Sequence, residues 1–174
     1  MKKQPLDFRK IEAIVHSIDC PEDKLLMGIM LYLGPRVSEV RDLTTDEIKA
    51  WGDYGYLRQL KRRAVAKRLV PIPDVLQEII KECLPNIEHG YAFKSNSNNG
   101  IGDGCISRQG IDHRIKKYFG IKVSAHSLRK TVGKFVYEQL GNDIARASMF
   151  LGHKNPSSTY HYLGTSEETI RGIF

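Results

Sequence analysis

Cysteine is scarce in this chain, and its pattern argues against two kinds of small protein. Cys20, Cys83 and Cys105 are an odd number, and no two stand in C-x-x-C spacing. Neither a disulfide framework nor a zinc site is supported, and the three read as reduced thiols of a cytosolic protein. No window approaches the roughly 20 apolar residues of a membrane span. Lys2 and Lys3 are followed by no apolar run, so no signal peptide is read. Internal repeats and a clear linker are also lacking. What remains is 174 residues, 41% of them apolar, with Leu, Ile, Val and Phe scattered throughout. Such a chain suits one domain with a real core, not low-complexity disorder. A formal charge of +7 and a pI near 9.3 favour a polyanionic partner, nucleic acid before an acidic membrane surface.

Taken in order, the chain is mostly helical in pattern. Asp7 caps a helix with Phe8, Ile11, Ile14, Val15 and Ile18 at helical spacing. Pro21 opens a second, whose Leu25, Leu26, Ile29, Met30 and Leu33 predict a central core helix stopping at Gly34-Pro35. Residues 36–43 read as a short helix with Arg36 and Glu39 on one side. Thr44 and Glu47 form a capping box for another, through Ile48 and Trp51. Residues 56–61 and 67–72 predict a basic hairpin, with Val70 and Ile72 on one face, and residues 91–93 a third short strand. Residues 74–84 form an amphipathic helix with Val75, Leu76, Ile79, Ile80 and Leu84 inward. Residues 95–104 are a flexible loop on composition.

Ser107 caps a helix that Gly120 stops. It carries Arg108, Arg114, Lys116 and Lys117, which suit a solvated basic face or a phosphate track. Ser124 caps the next helix, with Leu128, Val132, Phe135, Val136 and Leu140 on its buried face. Asn142 is read as the cap of residues 143–151. Asn155, with Pro156 behind it, caps a helix carrying Tyr162, and residues 164–174 form a short tail helix. The expected class is mainly α (α+β), with a small antiparallel three-stranded sheet.

Several of these residues can hold or attack a phosphate. His126 and Arg129 lie at i and i+3 near a helix start, where free N–H groups and the dipole favour an anion. Alone, H-x-x-R reads better as a capping histidine and a surface arginine. His153 follows Leu151-Gly152, where glycine permits a tight turn. Tyr160 and Tyr162 sit roughly 200° apart around a helix, so only one can face a given site. Arg36, by itself, is a surface ion pair with Glu39.

Jointly, these residues resemble the tyrosine recombinase family, the lambda-integrase-like site-specific recombinases, over nearly the whole chain. Residues 34–40, Gly-Pro-Arg-Val-Ser-Glu-Val, resemble that family's first arginine box. His126 to Arg129 is similar to its H-x-x-R box. Leu151-Gly152-His153, with Tyr162 nine positions after the histidine, is similar to its nucleophile segment. These separated boxes, in the right order, are far more specific than any one of them. The departures are Ala125 where proline is common and Lys130 where a second histidine is common.

The resemblance implies roles. Tyr162 is the nucleophile, in preference to Tyr160. Arg36, Arg129, His126 and His153 bind the phosphate and handle protons, with Glu39 in support. It also implies a hairpin lysine as general acid. The family's register counted back from Leu69-Val70-Pro71 falls on Arg63. Lys61, two residues earlier, keeps strand parity and is the expectation, with Lys67 and Arg63 as alternatives. Arg108, Arg114, Lys116, Lys117 and Lys130 are expected on DNA. Tyr162 attacks a phosphodiester, expels a 5′-hydroxyl and keeps the bond energy in a 3′-phosphotyrosyl link, with no metal and no cofactor.

The partner implied is double-stranded DNA, with self-association into the family's tetrameric synapse and no membrane. The setting is the cytoplasm, nucleoid-associated, of a prokaryote or of the host of its virus or plasmid. Residues 1–174 read as the catalytic domain alone. Without the family's N-terminal core-binding domain, the expectation is a fragment of a longer integrase. A type IB topoisomerase shares the nucleophile and arginines, and a relative that binds DNA without cutting it is the third reading.

Overall fold

A computed structural model describes residues 6–61, 64–95 and 104–153, apart from the side chains of residues 59–61 and 64–66. The centre is α2 (Pro21–Leu33), which packs against α1 (Phe8–His16), α3 (Val37–Val40), α5 (Asp74–Cys83) and α7 (Ala125–Gln139). Its Leu25, Leu26, Ile29, Met30 and Leu33 are wholly buried, as their spacing predicts. A helix apolar on nearly every side must sit inside a shell of others. Pro21 supplies the first-turn φ, and Glu22 and Asp23 face the positive end of the dipole.

Capping residues set most boundaries. The Asp7 carboxylate accepts from Arg9 N and Lys10 N, and Thr44 and Glu47 close the expected box on α4 (Thr45–Lys49). Ser107 accepts from Gly110 N at the start of α6 (Arg108–Phe119), and Ser124 from Ser127 N at the start of α7. One cap differs. Asp143, not Asn142, accepts from Arg146 N and opens α8 (Ile144–Leu151), while Asn142 takes a positive φ of 66°. Asparagine tolerates that turn conformation, and the charged carboxylate is the better acceptor at a helix start.

The sheet has two strands among the described residues, not three. β1 (Tyr54–Lys61) and β2 (Ala64–Pro71) pair antiparallel, from Tyr54 opposite Pro71 to Lys61 opposite Ala64. Residues 91–94 make two isolated bridges instead, Tyr91 to Thr44 and Lys94 to Cys105. Their partners lie on separate segments, so no ladder forms, although Ala92 and Phe93 are wholly buried. In the hairpin, Leu57, Arg68 and Val70 are buried while Tyr54, Tyr56 and Leu69 are exposed. The period of two therefore runs through both strands. Val75, expected inward on α5, lies at its exposed edge. Most of the 95–104 loop, the Asn155-capped helix with Tyr162, and the tail helix lie outside the described residues.

Candidate active site

Two left-handed glycines turn the chain at the edges of the site. Gly34 ends α2 with φ 52°, and a Cβ there would stand 3.0 Å from Val132 Cγ1. Gly152 ends α8 with φ 64°. Each needs a conformation that glycine adopts without penalty. The first swings the chain to Arg36 and the second to His153.

Arg36, Arg108, Asp112, Ser124, His126 and Arg129 all border one cavity of about 350 Å³. Residues almost a hundred positions apart thus meet where the α7 N-terminus opens. Asp112 of α6 accepts from Ala125 N at 3.2 Å and ties the two helices together there. His126 is exposed and Arg129, one turn on, is buried at 3% exposure. The Arg129 terminal nitrogens donate to the Gly34 carbonyl and, at 2.6 Å, to the Leu151 carbonyl.

Glu39 is the acidic hinge of the site. Its side chain is 1% exposed and sits between two guanidiniums. Oε1 meets Arg36 Nη1 at 3.0 Å and Oε2 meets Arg68 Nη2 at 3.2 Å. Oε2 also accepts from Arg36 N at 2.9 Å, which caps α3. Arg36 keeps 43% of its side chain exposed, and its Nη2 reaches the Gly152 carbonyl at 3.3 Å. Two cations on one buried carboxylate offset much of the cost of removing it from water.

His153 is half-buried beside this cluster. Burial, then the charges of Arg129, Arg36 and Arg68, push its pKa down to about 4, against the weaker pull of Glu39. The imidazole is neutral at pH 7 and can accept a proton.

The basic residues of α6 divide. Arg108 and Lys116 are exposed, and Arg108 borders the cavity. Arg114 is buried: Nη1 pairs with Glu22 at 2.6 Å and Asp23 at 3.1 Å, and Nη2 donates to the Lys94 carbonyl at 2.9 Å. Its charge is met inside the protein, which corrects its expected place on an outward phosphate track. Lys117 is exposed and pairs with Asp23 at 3.1 Å; the Tyr118 and Asp23 hydrogen bonds push its pKa up. Lys130 is half-buried on α7. Lys67 is exposed, with its ammonium 5.9 Å from the Tyr56 ring centroid. Lys61 is described only in its backbone, opposite Ala64. Arg63, Tyr160 and Tyr162 lie outside the described residues.

Sequence reasoning passed over Arg68 and Asp112. A signal for Arg68 was present: it stands at an even step from Val70 and Ile72, so its strand parity points inward.

A helical shell around α2, a small hairpin, and Arg36 beside α3 and Arg129 of α7 near a histidine at the end of α8 together make a mainly helical fold of the tyrosine recombinase type. Residues 4–169 match the model described as the phage integrase family, and the chain belongs to that family. Transposase A of transposon Tn554 from Staphylococcus aureus is 26% identical over 99% of this chain and 52% of its own length. Tyrosine recombinase XerA of Thermococcus kodakarensis is 26% identical over 86% of this chain and 53% of its own. The chain thus spans about half the length of these curated relatives. Among solved structures, a XerA recombinase superposes with TM-score 0.73 at 20% identity, covering 98% of this chain and 62% of its own. A XerH recombinase bound to its difH substrate gives 0.72 at 16% identity, covering 98% and 53%. A lambda integrase dimer bound to a COC′ core site gives 0.68 at 15% identity, covering 94% and 60%.

Proposed function

We propose that this chain is the strand-cleaving and rejoining domain of a site-specific DNA recombinase, with Tyr162 as nucleophile. The observation that carries this reading is the meeting of Arg36, His126 and Arg129 at one cavity, with His153 electrically coupled to both arginines. The curated relatives and the DNA-bound structural neighbours support the same reading.

The chemistry follows from the groups. The scissile phosphate lies among Arg36, Arg129 and His126, where planar guanidiniums hold its non-bridging oxygens. The Tyr162 oxygen bonds to phosphorus and gives up its proton, and His153, unprotonated at pH 7, is the acceptor; the charge of the bound phosphate offsets the arginines that lower its basicity. The 5′-oxygen leaves and takes a proton from the hairpin lysine. Backbone register supports Lys61 for that role: it is an even step from buried Leu57, whereas Lys67 lies opposite Arg58 on the exposed face. The positive charge that a metal could otherwise supply comes from the arginines, so the step is metal-independent. Reversal of the step with another strand's 5′-hydroxyl rejoins the DNA. Double-stranded DNA is the partner, Arg108, Lys116 and Lys130 extend the contact, and copies associate on it.

The test is a nicked suicide duplex with the full chain. A covalent adduct is expected, lost in Tyr162→Phe and kept in Tyr160→Phe; the reverse overturns the assignment. A mobility shift without any adduct would make the chain a DNA-binding relative only. Relaxation of supercoils without strand exchange would favour the topoisomerase reading. A 5′-thio leaving group should rescue Lys61→Ala, but not Arg63→Ala or Lys67→Ala.

A further inference from the structure

Three guanidiniums grip the last turn of α8. Arg68 donates to the Phe150 carbonyl, Arg129 to that of Leu151 at 2.6 Å, and Arg36 to that of Gly152 at 3.3 Å. These are the three consecutive carbonyls immediately before His153. Carbonyls at a helix C-terminus lack intrahelical partners and carry the negative end of the dipole, so cations are favoured there. Arg36 and Arg129 already have a role in the reading above. Arg68 does not. Its side chain is 8% exposed, and it is not among the residues bordering the cavity that Arg36, His126 and Arg129 share. Its other terminal nitrogen holds Glu39 Oε2 at 3.2 Å, and the second oxygen of that carboxylate holds Arg36.

We propose that Arg68 is a positioning residue for strand cleavage, fixing Glu39 and through it Arg36 on one side, and the turn that presents His153 on the other. The proposal rests on the recombinase reading given above. A fork with two terminal nitrogens can hold a carboxylate and a carbonyl on different elements; a lysine keeps the charge but offers one nitrogen. Without Arg68, Glu39 loses one of its two cations and the Phe150 carbonyl loses the donor from β2. The arginine and histidine sides of the site then keep the Arg36 and Arg129 bonds to the end of α8 but lose the link through β2, and both loosen. A misplacement of about 1 Å in such a constellation lowers the rate about 10²-fold.

The charged groups facing His153 are Arg129 of α7, Arg36 beside α3, Arg68 of β2 and, with opposite sign, Glu39 of α3. Arg68 is therefore also visible in the imidazole's own titration.

Arg68→Met and Arg68→Lys separate the alternatives. Single-turnover adduct formation on a nicked suicide duplex, the DNA Kd by fluorescence anisotropy, and the His153 ring titration by NMR are measured on the full chain. Arg68→Met should slow adduct formation about 10²-fold with Kd within about threefold of the parent. Arg68→Lys should recover only part of the rate. The His153 pKa should rise in Arg68→Met, and less in Arg68→Lys. Adduct formation at the parent rate in Arg68→Met overturns the proposal. So does a loss of affinity that matches the loss of rate, which would make Arg68 a DNA contact. If Arg68→Met does not fold, Arg68→Lys is judged on the same criteria. If the parent itself forms no adduct, the recombinase reading fails. The NMR titration needs no DNA, and an unchanged His153 pKa in the folded variant sinks the Arg68 lock independently.

Discussion

His153 shows how far the neighbours of one residue can set its chemistry. Its folded pKa is about 4 against an ordinary 6.5, through burial and three guanidiniums. Between those values the unfolded chain binds the extra proton. Stability from this group is therefore fully present above pH 6.5 and is lost as pH falls towards 4. Urea unfolding should show a loss on the order of 1–2 kcal/mol across that window, allowing for solvent screening of a half-buried ring. A His153→Gln variant should lack that component. An equal slope in both proteins would show that the imidazole does not titrate as its surroundings dictate. A bound phosphate brings a negative charge among the same arginines and should raise the His153 pKa, so DNA binding near pH 5 should take up a proton.

At the scale of elements, the turns matter as much as the helices. Gly34 carries the carbonyl that Arg129 holds, and it has a positive φ with Val132 pressed against it. Gly34→Ala should cost about 1–3 kcal/mol in denaturant unfolding. It should also slow adduct formation, because the turn that delivers Arg36 shifts with it. A variant that unfolds and cleaves like its parent would show that the turn tolerates a side chain.

Most helix caps and the central place of α2 were legible in the sequence because local chemistry decides them. Asp7, Thr44, Ser107 and Ser124 each supply an acceptor where the first free N–H groups need one. The third strand was not legible. Ala92 and Phe93 are buried, as strand residues would be, but Tyr91 and Lys94 bridge two different segments, and only the tertiary fold shows this. Arg36, His126 and Arg129 became candidates through the resemblance of their boxes to the recombinase family, and the fold brings them to one cavity. Arg68 was hidden among hairpin cations, where composition suggests a solvated surface. Arg114 was misread for the same reason: a row of basic residues does not reveal that Glu22 and Asp23 lie beneath one of them.

Across the whole molecule, a charge of +7 means that the proposed DNA affinity should depend on salt. The division of the α6 cations predicts which of them matter. Arg108→Ala should lower the slope of log Kd against log salt by about one. Arg114→Met should leave that slope unchanged and instead destabilise the fold by about 3 kcal/mol, since Glu22 and Asp23 lose a buried partner. Fluorescence anisotropy over a salt series and urea titration distinguish the two. The opposite pattern would return Arg114 to the DNA surface.

The grip of Arg36, Arg68 and Arg129 on one helix end ties competence to completion. Those arginines are contributed by an early loop, a hairpin strand and a late helix, so this end of α8 gains its full set of donors only when all three have docked. On the recombinase reading, a half-folded or nascent polypeptide would lack the arginine set that strand cleavage needs, so activity would wait on complete folding.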